Sequence, residues 1–517
     1  MKEPTPPSSE HKGKFKVTAK YIWALGIVVI ISSQGGAWHA GMSAGTVGYG
    51  LVIFLVGTAY VALALSMSEM TSMLPFAGGV YGLSRCALGF QAGLLMGCCE
   101  VLEYTLLLAA MTIIFAQTLT VQKPELGSYQ PLIWFVHILV TFILLALGGK
   151  IYWRFVLVVA ILSILQVVVF VILAAPVDDY ALNSGGAATA FLGDFKNWFA
   201  VLPFGLYLFT GTEGLSTLAN EAHDPRHAIP RGHIASILTL FTTASSIYIV
   251  SRGLPLYMDI SLDGQLFKMS KQVAIVWTTI SSLACTSAVL LAASNIVESM
   301  SESRLFPCEL HGRHAKLHTP IRAILCASLM EFIFCCVTFY YPPSAYPIFS
   351  FLSLASCMAG VLNPWLELLP FGIYGAIYSM TIYSMTIYSM TIFLCCSISV
   401  VFVQNTDIWC FILSLTIFIL LSIYYQCYAK SRQSFSEDER KLLLFVHIAN
   451  NNDAKHRSPS SSTSYRILKR LSKYLKNASK GMSTMKGSSA ASSAKVFVTN
   501  GKQSTKSSVR KLSNHRK

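Results

Sequence analysis

The chain has 517 residues, of which 54% are apolar and only 12% charged, about half the charged share of a soluble domain. That composition excludes a water-soluble fold. The net charge of +15 is concentrated at the end: residues 430–517 hold 20 Lys and Arg against four acids, which leaves 19 against 20 in the first 429 residues.

This split divides the chain into a cytosolic segment (1–20), a lipid-embedded body (21–429) and a basic, Ser-rich cytosolic tail (430–517) expected to be disordered. The tail suits an anionic membrane surface better than nucleic acid, and no nucleic-acid partner is expected. Residues 1–20 are rich in Pro, Ser and Lys and run into a span, which is not the pattern of a removable signal peptide. The 13 cysteines lack CxxC spacing and sit mostly in apolar runs. They read as small core residues, so neither disulfides nor a metal or cofactor site is expected.

A bilayer core of about 30 Å takes roughly 20 apolar residues per helix. In chain order the apolar runs are 21–44 and 48–70, an amphipathic stretch at 75–88, then 90–119, 131–147 and 151–174. After a polar loop at 176–196 come 198–220, 234–257, 273–300, 321–340, 346–365, 371–403 and 409–425. Twelve spans put both termini on one side. Lys150, Arg154, Arg226, Arg231, Arg304 and Arg313 share the side of the N-terminal lysines, whereas the opposite loops hold only Lys123, Lys196, Arg252, Lys268 and Lys271. By the positive-inside rule both termini are cytosolic. The sequon at Asn477 then faces the cytosol, where it would carry no glycan.

The first run is interrupted by Ser32-Ser33-Gln34-Gly35-Gly36-Ala37. Each glycine loses about 1 kcal/mol of helix propensity relative to alanine. Either these glycines permit close helix packing, or the helix unwinds here and a half-helix starting near Trp38 turns its positive end toward an anionic or hydroxyl group. In the sixth run, Phe209-Thr210-Gly211-Thr212-Glu213-Gly214 places two glycines and an acid at membrane depth, where irregular backbone survives beside a cavity. Freed carbonyls of Phe209 and Thr210 would accept from an ammonium. Glu213 is costly there unless paired, protonated or wet, so it is either a functional group or a neutral acid bonded to the first span. Glu100 and Glu103 lie at i and i+3 on one helical face with Tyr104 beside them. They are candidates for proton or cation coupling, or an interhelical packing pair. His39, Asn295 and Glu331, alone in apolar surroundings, read as internally hydrogen-bonded groups.

Phe209 to Gly214, followed by Leu218-Ala219-Asn220-Glu221, Asp224-Pro225-Arg226 and Ile229-Pro230-Arg231-Gly232, resembles the amino acid–polyamine–organocation permeases. The interrupted first span, Glu69 with Pro75-Phe76-Ala77-Gly78-Gly79-Val80-Tyr81, and Ser303-Arg304 before His318-Thr319-Pro320 match as well. Glu100 with Glu103-Tyr104 is most similar to the ethanolamine-permease-like branch. The resemblance spans roughly residues 21–340.

It implies an all-α integral membrane protein with a LeuT-type pair of five-helix inverted repeats followed by two extra helices. It also implies a secondary transporter that moves an amino acid or related small amine by alternating access, as an ion-coupled symporter or an exchanger, without covalent chemistry. By motif position, Ser33, Gln34, Gly35 and Gly36 would face the substrate's acidic or hydroxyl end, and Phe209, Thr210 and Gly211 its amine. Glu100, Glu103, Tyr104 and Glu213 would serve coupling to a proton or sodium ion, or gating.

The pattern departs from the family after Tyr340. A basic, Pro-containing linker is expected after the tenth span, yet residues 363–370 carry only Glu367 as a charge. Ile377-Tyr378-Ser379-Met380-Thr381 then recurs identically at 382–386 and 387–391. Two extra units add about 15 Å of helix, to be absorbed by tilt, protrusion or a break. These changes and the tail keep a second reading open, a non-transporting nutrient sensor or scaffold on a permease fold. In the tail, Leu468, Leu471 and Leu475 form a stripe among basic residues that suits anionic lipid or calmodulin. Ser472 and Ser513 each follow two basic residues and a leucine, as basophilic kinases prefer. No repeated filter or charged ring suggests a channel.

Overall fold

The computed structural model describes residues 15, 17–87, 89–174, 189–251, 271–306, 309–314, 317, 319–340, 380–399, 408–435 and 440. All of these belong to one compact unit, Met1–Leu443. The expected tenth span at 346–365, the first pentapeptide copy as far as Ser379, the lipid, calmodulin and kinase motifs of the tail, and Asn477 lie outside the described residues.

The regular secondary structure among the described residues is helical, with one isolated bridge between Val17 and Ala222. Helix α1 covers Ala19–Ala37 and continues as a 3-10 helix, Trp38–Ala44. Then come α2 (Thr46–Met73), α3 (Val80–Ala87), α4 (Phe90–Gln122), α5 (Gln130–Leu147) and α6 (Gly149–Ala174). The sixth span is assembled from α7 (Phe195–Val201) and two 3-10 pieces, Leu202–Leu208 and Thr212–Asn220. Beyond it lie α8 (Pro225–Ser251), α9 (Lys271–Glu302), α10 (Ile321–Tyr340), α11 (Met380–Ser399) and α12 (Ile408–Tyr424). Seven helices among the described residues, α2, α4, α5, α6, α8, α9 and α10, are long and apolar enough to cross a bilayer. The protein is a multi-pass membrane protein.

Of the two alternatives for the first run, the unwound one is not taken. The helix does not unwind at Gly35-Gly36; it stays α-helical through Ala37 and tightens at Trp38. Within a bilayer every backbone group must bond internally, so the modest glycine penalty does not open the helix and the change of pitch falls one residue past the glycine-bearing stretch. The second and third pentapeptide copies lie in helix α11. Tyr388 of the third copy bonds Thr58 Oγ1 (2.8 Å) and donates to Leu55 O (3.1 Å), tying α11 to α2.

Helices α1 and α2 each pack on α8 and on the sixth span, with α11 against α2, whereas α4, α5, α9 and α10 form a second mutually packed group. The sixth span, α1 and α4 meet where the groups adjoin. Helix α8 starts at the Asp-Pro motif: Asp224 O accepts from the Ala228 N–H at 2.8 Å, and Pro225 takes the first position, where no N–H is needed.

One end of the bundle is tied by charged groups. Arg313 grips Glu298 of α9 in a two-pronged contact (3.0 and 2.8 Å) and also binds Glu221, just after the sixth span. Burial works against the guanidinium charge, yet Glu221 and Glu298 more than offset it and hold the Arg313 proton more tightly than usual. Nearby, the His223 N–H donates to Val17 O at 3.0 Å. Arg85 of α3 is buried among the Tyr81, Phe90 and Phe435 rings, and it donates to Ser303 and to Ser434 O (3.1 Å). The segment after α12 is thereby held against the start of the loop after α9.

Candidate functional site

The sixth span breaks at Gly211. Asp194 caps the entry, accepting from the Asn197 N–H at 2.9 Å. The backbone runs in 3-10 form to Leu208 and closes with Leu206 O accepting from Phe209 N (2.8 Å) and Thr210 N (2.9 Å). Gly211 then adopts φ +102°, a left-handed conformation that an L side chain resists. The kink strands the Gly211 N–H, and Glu213 folds back to take it on both carboxylate oxygens, at 2.9 and 3.0 Å. Glu213 is thus bonded within its own span rather than to the first. Phe209 O accepts from the Thr212 hydroxyl at 3.1 Å, so that carbonyl already has a donor.

Three helices close on the break. A Cβ on Gly211 would stand 2.7 Å from Val29 Cγ1 of α1 and 3.8 Å from Leu107 Cδ2 of α4. One on Gly214 would meet Ala292 of α9 at 3.0 Å and the Tyr104 hydroxyl of α4 at 3.2 Å. Cys285 of α9 donates to Val29 O at 3.1 Å, pinning α1 beside the kink. Tyr60 of α2 shares a hydrogen bond with Thr210 Oγ1 (3.2 Å), and its ring packs between Phe209 and Phe393.

The acids expected to act together are together. Glu100, Glu103 and Tyr104 are buried, as is Glu213, which lies within electrostatic reach of Glu100 and Tyr104. Neither oxygen of Glu100 nor the Tyr104 hydroxyl has a hydrogen-bond partner among the described residues. Buried polar atoms are ordinarily satisfied, which sets this patch apart from the surrounding core.

On α1 the candidates divide. Ser33, Gly35 and Gly36 take helical backbone near the end of α1. Gln34 is fully buried and committed to protein partners: its amide nitrogen donates to Leu208 O (3.2 Å) and Leu240 O (3.1 Å), and its oxygen accepts from Thr243 (2.9 Å). It clamps α1 to the sixth span and α8. Asn295 donates weakly to Thr217 O at 3.4 Å, and Glu331 accepts from Thr112 at 2.8 Å. The side chain of His39 lies outside the described residues. Sequence reasoning missed Tyr60, Val29, Leu107 and Thr243, none of which belongs to a motif; only the fold brings them to the break.

Glu213 gives a direct test of the kink. Glu213→Ala leaves the buried Gly211 N–H without an acceptor, a loss of about 1–3 kcal/mol, whereas Glu213→Gln keeps one carbonyl acceptor. Thermal unfolding of the purified protein should therefore fall clearly for the alanine variant and little for the glutamine one. Equal losses would show that Glu213 does not hold the break together.

Residues 23–440 match the amino acid permease family. This chain belongs to that family. With it comes the inverted-repeat fold of the amino acid–polyamine–organocation superfamily. The permease is 26% identical over 326 residues to an uncharacterized transporter of Rhizobium meliloti, covering 59% of this chain and 69% of that one. It is 26% identical over 344 residues to a branched-chain amino acid permease of Bacillus subtilis, covering 60% and 72% of the two chains. To a branched-chain amino acid permease of Lactococcus lactis it is 25% identical over 263 residues, covering 47% and 56%.

Proposed function

We propose that this permease moves an amino acid or a related small amine by alternating access, coupled to a proton or sodium ion or run as an exchanger. The observation that carries this is the left-handed break at Gly211, buried between α1, α4 and α9 with unpartnered polar atoms of Glu100 and Tyr104 beside it. A substrate ammonium lodged at Phe209, Thr210 and Gly211 brings hydrogens to this acidic patch, while the end of α1 around Ser33, Gly35 and Gly36 takes the carboxylate or hydroxyl. The relatives named as branched-chain amino acid permeases support a neutral amino acid; the three acids support an amine without a carboxylate equally well. The plasma membrane is the proposed location, with both termini in the cytosol and the basic tail against anionic lipid, open to calmodulin and to phosphorylation.

A panel of amino acids, ethanolamine and polyamines offered to proteoliposomes, with and without a pH gradient, identifies the substrate and the coupling together. Saturable uptake of at least one amine is expected. The sensor or scaffold alternative, favoured by the triplicated pentapeptide and a tail carrying 20 basic residues, predicts binding partners without uptake.

A further inference from the structure

A second buried polar chain runs through α4, α5, α9 and α10, apart from the break. Ser282 of α9 bonds His137 Nε2 (3.0 Å), His137 Nδ1 of α5 bonds Thr112 Oγ1 of α4 (3.3 Å), and the Thr112 hydroxyl donates to Glu331 Oε1 of α10 (2.8 Å). Thr112 has one hydroxyl proton and gives it to Glu331, so His137 Nδ1–H must be the donor to Thr112. Nε2 then accepts from Ser282, and every link points toward the carboxylate.

Glu331 is 1% exposed and sits midway along α10, and its second oxygen, Oε2, has no hydrogen-bond partner among the described residues. A purely structural link would be met by a neutral amide or hydroxyl at lower cost, because an acid at membrane depth is expensive unless it is neutralised. The titratable groups facing it are His137 from α5 and Cys335, one turn along α10, whose thiol is turned to Ala109 O at 3.7 Å. Helix α4 contributes only the Thr112 hydroxyl nearby, with Glu103 about 13 Å away along the helix. Helix α9 contributes Ser282 and, one turn on, Cys285. The Phe115 ring covers the imidazole at 4.6 Å, which leaves the half-buried Ser282 as the open end of the chain.

We infer that Glu331 is a proton-binding site loaded through His137 and Thr112, an inference that rests on the transport reading and names its coupling ion. A hydronium ion reaching the Ser282 end gives its proton to Nε2 once that hydroxyl turns away. The Nδ1 proton passes to Thr112 Oγ1 as the proton of Thr112 moves to Glu331 Oε1. One water leaves, the imidazole is neutral again in its other tautomer, and the carboxyl has gained the proton. The chain joins all four helices of one packed group, so its protonation state bears on how that group moves against the other.

Infrared pH titration of the reconstituted full-length protein tests the site without any substrate. A carboxyl C=O band that titrates in the wild type should be absent from Glu331→Gln. An unchanged difference spectrum overturns the proposal. In the same vesicles, substrate accumulation driven by a pH gradient should be lost in Glu331→Gln, and retained gradient-driven accumulation overturns the coupling role. Thr112→Val keeps the acid but cuts the chain, so proton uptake after a pH jump should slow by about 100-fold or more, the scale of removing a proton-transfer group. Unchanged kinetics in Thr112→Val overturn the proposal even if Glu331→Gln fails to assemble. If the wild type transports nothing, the transport reading fails while the infrared titration still decides the site.

Discussion

Gly211→Trp is expected to abolish saturable uptake while leaving protein that still purifies as a folded species. At φ +102° the backbone is left-handed, which costs an L residue about 1–2 kcal/mol. The added Cβ would also stand 2.7 Å from Val29 Cγ1, and overpacking of this kind typically costs about 1–3 kcal/mol. The sum, about 2–5 kcal/mol, is roughly a 30- to several-thousand-fold bias against the kinked geometry. The indole would crowd α1 and α4 at the place proposed for the substrate amine. Gly211→Ala carries the conformational cost and one methyl contact only, so its uptake should fall between the two. Uptake per folded transporter is the quantity to compare; unchanged uptake in the tryptophan variant would place the site elsewhere.

Arg313→Ala should produce a large loss of stability. Removing the guanidinium leaves Glu221 and Glu298 as carboxylates near each other with relative exposures of only 14% and 3%. Breaking a buried pair in this way costs about 3–5 kcal/mol, the lower part of that range being appropriate because Arg313 itself retains 21% exposure. Arg313→Lys keeps the charge but loses the two-pronged grip on Glu298, so its unfolding temperature should lie between those of the alanine variant and the wild type. Because Arg313 ties α9 to the exit of the sixth span, the alanine variant should also open that end more readily. Thermal unfolding followed by size-exclusion chromatography measures the first effect, and cysteine accessibility at that end the second. Equal stability in all three proteins would contradict the assignment of Arg313 as the tie.

Much of the fold was legible in the residues themselves. Long apolar runs found α2, α4, α5, α6, α8, α9 and α10, because a bilayer sets one length for every span. Gly211 was legible because two glycines and an acid at membrane depth are tolerated together only beside a cavity or a partner. Gly35-Gly36 left packing and unwinding open; glycine weakens a helix by about 1 kcal/mol, less than the cost of exposing backbone groups to lipid, so α1 runs on to Ala37. Gln34 has the chemistry of a substrate ligand but spends it on Leu208, Leu240 and Thr243, partners that no local pattern indicates. Arg313 with Glu221 and Glu298, and Glu331 with Thr112 and His137, bring together residues from separate helices. Such pairings are set by packing, which one sequence does not display.

The central claim is that substrate binds at the Gly211 break and is carried across by alternating access. Counterflow tests it most directly: vesicles preloaded with unlabelled substrate are offered a trace of the same compound labelled. Saturable, trans-stimulated entry that collapses in Gly211→Trp is the expected result. Tight binding of the labelled compound without movement into the vesicle would contradict it and point to a sensor.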